Sequence, residues 1–100
     1  MKELPKSTKV VVIGGGVAGT SCAYHLAKFG WKDVILLERD QLTSGTTWHA
    51  AGLLGQLGAS STITKIRKYS LDLYKDLEKT TGLSTGMKQN GAITVASTKE

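Results

Sequence analysis

Residues 10–38 read VVVIGGGVAGTSCAYHLAKFGWKDVILLE, and this stretch decides the fold. Four β-branched residues lead into a glycine-dense turn, a segment of helical length follows, and a second apolar run ends in an acid. The pattern predicts a strand over 9–13, a helix over 16–28 and a strand over 34–38. The two strands are expected to be parallel, joined by a right-handed crossover and covered on both faces of their sheet.

The turn between the first strand and the helix has the spacing G-x-G-x-x-G, filled by Gly14, Gly16 and Gly19. Gly14 allows a sharp turn, the missing side chain of Gly16 lets a pyrophosphate approach the backbone, and Gly19 lets the helix pack against the sheet. The first helical amides, at Val17 and Ala18, then point at the phosphates, and the helix dipole favours negative charge there. With a strand before it and a helix after it, this spacing predicts an adenine-dinucleotide site.

An acid ends the second apolar run, about 20 residues after the third glycine of the fingerprint. This acid, Glu38, is expected to accept hydrogen bonds from the adenosine ribose. A ribose with a free 2′-hydroxyl means FAD or NAD rather than NADP. The neighbouring Arg39 argues weakly the other way, because an arginine can bind a 2′-phosphate.

Length and composition restrict the class of protein. One hundred residues allow one domain at most, and 40% apolar with 21% charged residues is ordinary for a globular chain. The net charge of +5 is spread along the chain without interleaved aromatics, which argues against nucleic acid as a partner. No apolar run is long enough for a transmembrane span, and residues 1–9 lack the apolar core of a signal peptide. These features predict a cytoplasmic protein, or a mitochondrial-matrix protein in a eukaryote.

Two side chains of the first helix are interpreted as structural. Cys22, the only cysteine, falls in a stripe of small residues and is predicted to be a buried thiol facing the sheet. His25 is predicted to be a surface or boundary histidine. No metal site is predicted.

The loop over 40–58 is dense in hydroxyls and glycines and follows the ribose acid directly. Ser44, Thr46 and Thr47 could donate hydrogen bonds to phosphate oxygens. The same hydroxyls could instead cap the turn and the neighbouring helix. The residues alone leave both roles open.

The remaining chain predicts a flexible tail over 1–8, an amphipathic helix over 60–81 and a β-hairpin over 87–97. Ser61 or Thr62 is the expected N-cap of that helix, and Gly82 follows its end. The hairpin rests on the turn signal Gln89-Asn90-Gly91 and the alternation that follows it. The predicted class is therefore α/β: a Rossmann-like βαβ unit, then a helix and a hairpin, in an incomplete domain.

Three segments, residues 42–53 (LTSGTTWHAAGL), 77–86 (LEKTTGLSTG) and 89–93 (QNGAI), resemble the amino-terminal part of the sarcosine and dimethylglycine dehydrogenases. These are FAD enzymes of the D-amino-acid-oxidase-like group. The resemblance extends from about Lys9 to the end, so residues 9–100 are expected to be the amino-terminal part of an FAD-binding oxidoreductase domain. The segment around Trp48 and His49 is the most specific part of the match.

The resemblance implies an enzyme that oxidatively demethylates an N-methyl amine such as sarcosine or dimethylglycine, with hydride passing to FAD. It implies that the histidine at position 49 carries the flavin covalently through its 8α carbon, and that Ala51 and Gly52 belong to the cofactor-binding segment. An electron carrier and folate are implied as partners of other regions. Catalytic residues are expected beyond residue 100, so the 100 residues alone are expected to be inactive.

Two alternatives remain open at this stage. One is a non-catalytic nucleotide-binding remnant, or a relative of the regulatory subunit of pyruvate dehydrogenase phosphatase. The resemblance implies that this regulatory relative lacks the Trp48–His49 pair. The other is a different amine oxidase of the same group that holds FAD without a covalent bond.

Overall fold

The computed structural model describes residues 3–98, with four elements of regular structure in that range. They are β1 (Val10–Ile13), α1 (Val17–Lys28), β2 (Val34–Leu37) and α2 (Ser61–Thr81). The first three follow the predicted order and bounds closely, because their apolar runs and glycines are local signals. The contacts divide these residues into two compact units, one up to Ala51 and one from Gly52 onward.

The two strands of the first unit pair in parallel, as predicted. Val10 lies opposite Val34 and Ile13 lies opposite Leu37. One further hydrogen bond, from the amide of Gly14 to the carbonyl of Leu37 at 2.8 Å, continues the ladder beyond β1. The carboxyl ends of both strands therefore meet at the glycine turn, where α/β sheets bind their ligands.

Helix α1 packs against both strands of this sheet. Its half-buried residues Gly19, Ala23 and Leu26 mark the packed face. Cys22 is exposed, so the prediction of a buried thiol is wrong. The four-residue spacing that suggested it drifts around a helix of 3.6 residues per turn, which leaves Cys22 to one side of the packed face.

The sheet of the first unit is covered on one face only. Residues of β1 alternate between half-buried and exposed, and Val11 and Ile13 are 49% and 85% exposed. The prediction of cover on both faces is therefore wrong for these residues, since α1 packs against one side. Within residues 3–98 no hydrophobic side chain is fully buried.

The amino-terminal tail was predicted over 1–8, of which residues 1 and 2 lie outside the described part of the chain. Thr8 is held in place: its hydroxyl donates to a carboxylate oxygen of Asp33 at 2.9 Å. The backbone amide of Lys9 donates to the other carboxylate oxygen of Asp33 at 3.2 Å. Thr8, the last residue of the predicted tail, is therefore attached to the residues that precede β2.

The second unit contains α2. Its N-cap is Ser60, which has an extended backbone and whose side-chain oxygen accepts the amide of Ile63 at 3.3 Å, so neither Ser61 nor Thr62 is the cap. Gly82 ends the helix in the left-handed conformation, with φ 69°, as its position predicted. No helix in residues 3–98 is long and apolar enough to cross a membrane.

The predicted hairpin does not form in the described residues. Residues 87–96 contain no strand, although Gly91 has the positive φ of 84° that suits the predicted turn. Ile93 and Val95 are 91% and 86% exposed. A two-stranded hairpin without a covering layer is marginal in water, and nothing buries the apolar side of this one. The α/β class with parallel strands is confirmed, and the hairpin is the part that is wrong.

Candidate functional site

The site is built on the turn that joins β1 to α1. Gly14 has φ 102°, which side-chain-bearing residues rarely adopt, so only glycine reverses the chain here without strain. At Gly15, Gly16 and Gly19, an added Cβ atom would come too close to a neighbouring atom. A Cβ on Gly15 would lie 2.5 Å from Leu42 Cδ2, one on Gly16 would lie 2.8 Å from Thr47 Oγ1, and one on Gly19 would lie 1.8 Å from the carbonyl oxygen of Gly14.

Each of these glycines lets a different group approach the backbone. Gly19 brings α1 against the turn, as predicted. Gly16 makes room for the hydroxyl of Thr47, which the spacing could not reveal. Gly15, absent from the predicted site, is buried and lets both Leu42 and Glu38 approach. The available signal for Gly15 was a third consecutive glycine where the fingerprint needs only two.

Glu38 lies against this turn. One carboxylate oxygen accepts the amide of Gly15 at 2.7 Å, and the other accepts the amide of Asp40 at 3.0 Å. The amide of Gly15 first, and then that of Asp40, lowers the pKa of Glu38 below its ordinary value of 4.5. The side chain is therefore ionised at neutral pH, with lone pairs left to accept hydroxyls. Its contact with a ribose stays a prediction.

The substitution Glu38→Gln is expected to change how stability depends on pH. The depressed pKa means that Glu38 stabilises the fold above its ordinary pKa and that this contribution is lost as the pH falls through the lower folded value. The variant should therefore be less stable than the unaltered protein at pH 7, and the gap in melting temperature should close below about pH 4.5. Thermal unfolding of the ligand-free protein from pH 7 to 3 measures this.

Glu3→Gln supplies the control, because Glu3 is an exposed carboxylate near the amino terminus. It should melt like the unaltered protein over the whole range. A gap for Glu38→Gln that stays constant down to pH 3 would show that the ionised carboxylate does not bind the turn.

The residues after β2 form a run of turns over 42–49. The amide of Thr43 donates to the carbonyl of Gly15 at 2.9 Å, so the loop is attached to the glycine turn through its backbone. Thr43 has φ 68°, an uncommon conformation for a β-branched residue. Its carbonyl accepts the amide of Trp48 at 3.1 Å, which closes the loop on itself. The Trp48 side chain is 79% exposed.

The three predicted hydroxyls have different positions. Ser44 donates to the carbonyl of Gln41 at 2.8 Å and so stabilises the turn. Thr47 accepts the amide of Val17 at 2.9 Å and so caps the start of α1. Thr46 lines a cavity beside the turn. Two hydroxyls thus have the capping role, and direct contact with phosphate stays a prediction for all three.

A cavity of about 450 Å³ opens at the carboxyl ends of the strands. It brings together six of the predicted binding residues with four that were not predicted. The predicted ones are Gly14, Gly16, Glu38, Arg39, Ser44 and Thr46, and the others are Ile13, Leu37, Asp40 and Gly45. The cavity is lined by Gly16, the N-cap of α1, and the first amides of a helix have no intrahelical partner. A concave surface with such donors suits an anionic nucleotide.

The other predicted binding residues are not in the lining of the cavity: Val17, Ala18, Gly19, Thr47, His49, Ala51 and Gly52. His49 and Ala51 are exposed in the first unit, and Gly52, with φ 73°, belongs to the second. His49 Nδ1 lies 2.8 Å from the carbonyl oxygen of Gly45, a lining residue of the cavity. A carbonyl can only accept, so Nδ1 carries a hydrogen. In the neutral imidazole this contact favours the tautomer whose lone pair is on Nε2, the nucleophilic nitrogen.

Comparison with known proteins identifies the family of the chain. Residues 9–100 match the family model DAO, described as FAD dependent oxidoreductase. The chain is 47% identical over 100 residues to human mitochondrial sarcosine dehydrogenase and 49% identical over 98 residues to rat mitochondrial dimethylglycine dehydrogenase. It is also 45% identical over 97 residues to the mouse mitochondrial pyruvate dehydrogenase phosphatase regulatory subunit. These alignments cover 97–99% of this chain and 11% of each relative, so the chain spans about a tenth of their length.

Proposed function

Because this chain belongs to the DAO family of FAD-dependent oxidoreductases, we propose that it is the FAD-binding segment of an enzyme that demethylates an N-methyl amine such as sarcosine or dimethylglycine. The observation that carries the proposal is the cavity between the glycine turn, Glu38 and residues 44–46 of the following loop. It is built from the residues that a dinucleotide fingerprint requires.

The residues present fit FAD, the cofactor of the family. Gly14 and Gly16 line the cavity without side chains, and the hydroxyl of Thr47 lies in the space beside Gly16. The start of α1 would hold the pyrophosphate, and the ionised Glu38 would accept the ribose hydroxyls. Arg39 lines the same cavity and adds a positive charge beside a cofactor that is an anion.

When bound, FAD supplies an acceptor for the hydride of the substrate N-methyl group, and water or a folate then takes up the one-carbon unit. The residues that contact the amine and its carboxylate are expected elsewhere in the protein. Within the present residues the contribution is binding and orientation of the cofactor. We expect the 100 residues alone to be inactive, because Val11, Ile13 and much other apolar surface stay exposed without further layers.

The loop over residues 43–50, the histidine loop, supports a covalent link to the flavin. The carbonyl of Gly45 fixes the hydrogen on Nδ1 of His49, which leaves Nε2 free to bond to the flavin 8α carbon. Attachment would form one N–C bond and release two protons, one from the methyl group and one from the imidazole. The two electrons would be taken up by an external oxidant such as dioxygen. Non-covalent binding of FAD is the alternative outcome of this part of the proposal.

A regulatory, non-catalytic role is the second candidate function. It is favoured by the 45% identity to the phosphatase regulatory subunit, which is close to the identities with the two dehydrogenases. The feature that favours an enzyme is His49 with its nucleophilic nitrogen exposed, since a purely regulatory module has no need of one.

The test is anaerobic reduction of the flavin in the full-length protein. Sarcosine or dimethylglycine should bleach the flavin absorbance, and formaldehyde should appear on turnover with an artificial electron acceptor. Glycine is the control, because it has the same carboxylate and amine without an N-methyl group. A flavoprotein that neither N-methyl amine reduces would favour the regulatory function.

The predicted partners and compartment remain proposals. An electron carrier and folate would interact through other regions of the protein. A cytoplasmic or mitochondrial-matrix location stays a prediction from the sequence.

A further inference from the structure

We propose that Thr47 is a positioning residue that holds the histidine loop, residues 43–50, on the start of α1, and thereby sets the rate at which His49 bonds to the flavin. The inference rests on the proposed function, because it concerns the covalent link proposed there. It gives the Thr47 hydroxyl a role within the protein, beyond a contact with phosphate.

The first observation is the place of the Thr47 hydroxyl. Its Oγ1 accepts the amide of Val17 at 2.9 Å, which is the first amide of α1. The hydroxyl fits only because residue 16 is glycine, since a Cβ there would lie 2.8 Å from it. Thr47 is half-buried, while every other residue over 41–50 is exposed. The hydroxyl is therefore built into the turn.

The second observation is that the histidine loop is bonded internally. The amide of Trp48 donates to Thr43, that of His49 to Thr46 at 3.1 Å, and that of Ala50 to Thr47 at 3.3 Å. These bonds make the loop move as one piece. His49 therefore follows wherever the loop is attached.

Two hydrogen bonds among the described residues of the first unit attach the loop to the glycine turn and α1. One joins the amide of Thr43 to the carbonyl of Gly15 at 2.9 Å, and the other joins Thr47 to Val17. Only the second is made by a side chain, so it can be removed without altering the backbone. Its loss would leave the loop free to pivot about Thr43.

Movement of the histidine loop would slow formation of the His49–flavin bond more than it would weaken FAD binding. Attack by an imidazole nitrogen needs the reacting atoms near contact distance, and a looser loop spends less time in that geometry. A lost hydrogen bond of about 1 kcal/mol corresponds to a rate reduced about fivefold to tenfold. Affinity for FAD would change less, because Gly14, Glu38 and the cavity remain intact.

The experiment uses full-length protein prepared without flavin and mixed with saturating FAD in air. Dioxygen is then the oxidant that the attachment needs. The rate at which flavin becomes resistant to acid precipitation is compared for Thr47→Val and Thr47→Ser. Valine keeps the shape and loses the acceptor, whereas serine keeps the acceptor. Thr80→Val is the matched control, because Thr80 donates a similar bond to the carbonyl of Asp76 on α2 at 2.8 Å.

We expect Thr47→Val to attach flavin about fivefold to tenfold more slowly at saturation, and both Thr47→Ser and Thr80→Val to attach it at nearly the unaltered rate. In the ligand-free protein, the Val17 amide should exchange its hydrogen faster in Thr47→Val than in Thr47→Ser. Hydrogen exchange at the Val17 amide does not depend on FAD. The measurement therefore shows whether a folded variant has lost the hydrogen bond between residue 47 and Val17.

Two results would overturn the inference. One is Thr47→Val attaching flavin at the unaltered rate when saturated, even if its FAD affinity is lower, since that pattern belongs to a simple phosphate contact. The other is unchanged exchange at Val17. If the unaltered protein forms no acid-stable flavin at all, the covalent part of the proposed function fails, and this inference fails with it.

Discussion

Replacing Gly19 with alanine is expected to destabilise the βαβ unit strongly and to reduce FAD binding in the full-length protein. The new Cβ would lie 1.8 Å from the carbonyl oxygen of Gly14 and 3.0 Å from its carbonyl carbon. Both atoms are backbone, so no flexible side chain can move aside, and α1 must separate from β1. Overpacking of this kind costs about 1–3 kcal/mol and occasionally more, a large share of the total stability of a domain.

Gly55→Ala is the matched control for this substitution. A Cβ at Gly55 would make an ordinary contact, 4.0 Å from Nη1 of Arg67, and Gly55 has no positive φ. Its stability should change by less than about 1 kcal/mol. Thermal unfolding and the amount of flavin that copurifies are the measurements. A Gly19→Ala protein with unaltered melting temperature and full flavin content would show that α1 does not pack on the turn as described.

Replacing His49 with alanine is expected to remove all acid-stable flavin while leaving FAD bound. The imidazole is held by the loop itself, through Nδ1 and the carbonyl of Gly45. The cavity formed by the glycine turn and Glu38 does not include it. The variant should therefore fold, copurify with FAD and release that FAD on acid precipitation.

His25→Ala controls for loss of a histidine as such. His25 lies on α1, with Nδ1 2.7 Å from the carbonyl oxygen of Ser21, and should keep the acid-stable flavin. Flavin that stays with precipitated His49→Ala protein would mean that another residue forms the bond. Flavin lost from both the unaltered protein and His49→Ala would leave the non-covalent alternative.

The sequence was sufficient for the parts of the fold that depend on local pattern. β1, α1 and β2 follow from two apolar runs, the glycines between them and a helix that connects parallel strands. The end of α2 at Gly82 was likewise local, because a left-handed residue there needs glycine. Such signals are contained within a few residues.

Features that depend on distant partners were predicted less well. The hairpin over 87–97 needs a covering layer to bury Ile93 and Val95, and alternation alone could not say that such a layer is absent from these residues. The prediction that Cys22 is buried was wrong for a similar reason, since its burial depends on the rotation of α1 against the sheet. Both errors concern packing and not local propensity.

The site shows the same division. The spacing predicted that residue 16 has no side chain, but the group that fills the space comes from Thr47, in a different part of the chain. The importance of Gly15 depends on Leu42 and Glu38 in the same way. A sequence pattern can thus indicate where a side chain is excluded without identifying the atom that excludes it.

The central claim is that the glycine turn, Glu38 and the histidine loop together hold FAD with His49 at the flavin. The most direct test is peptide mapping of the full-length protein after acid denaturation and trypsin digestion. We predict that flavin is found on the tryptic peptide 40–65, bonded to Nε2 of His49. Flavin bonded to any other residue, or no flavin on that peptide, would contradict it.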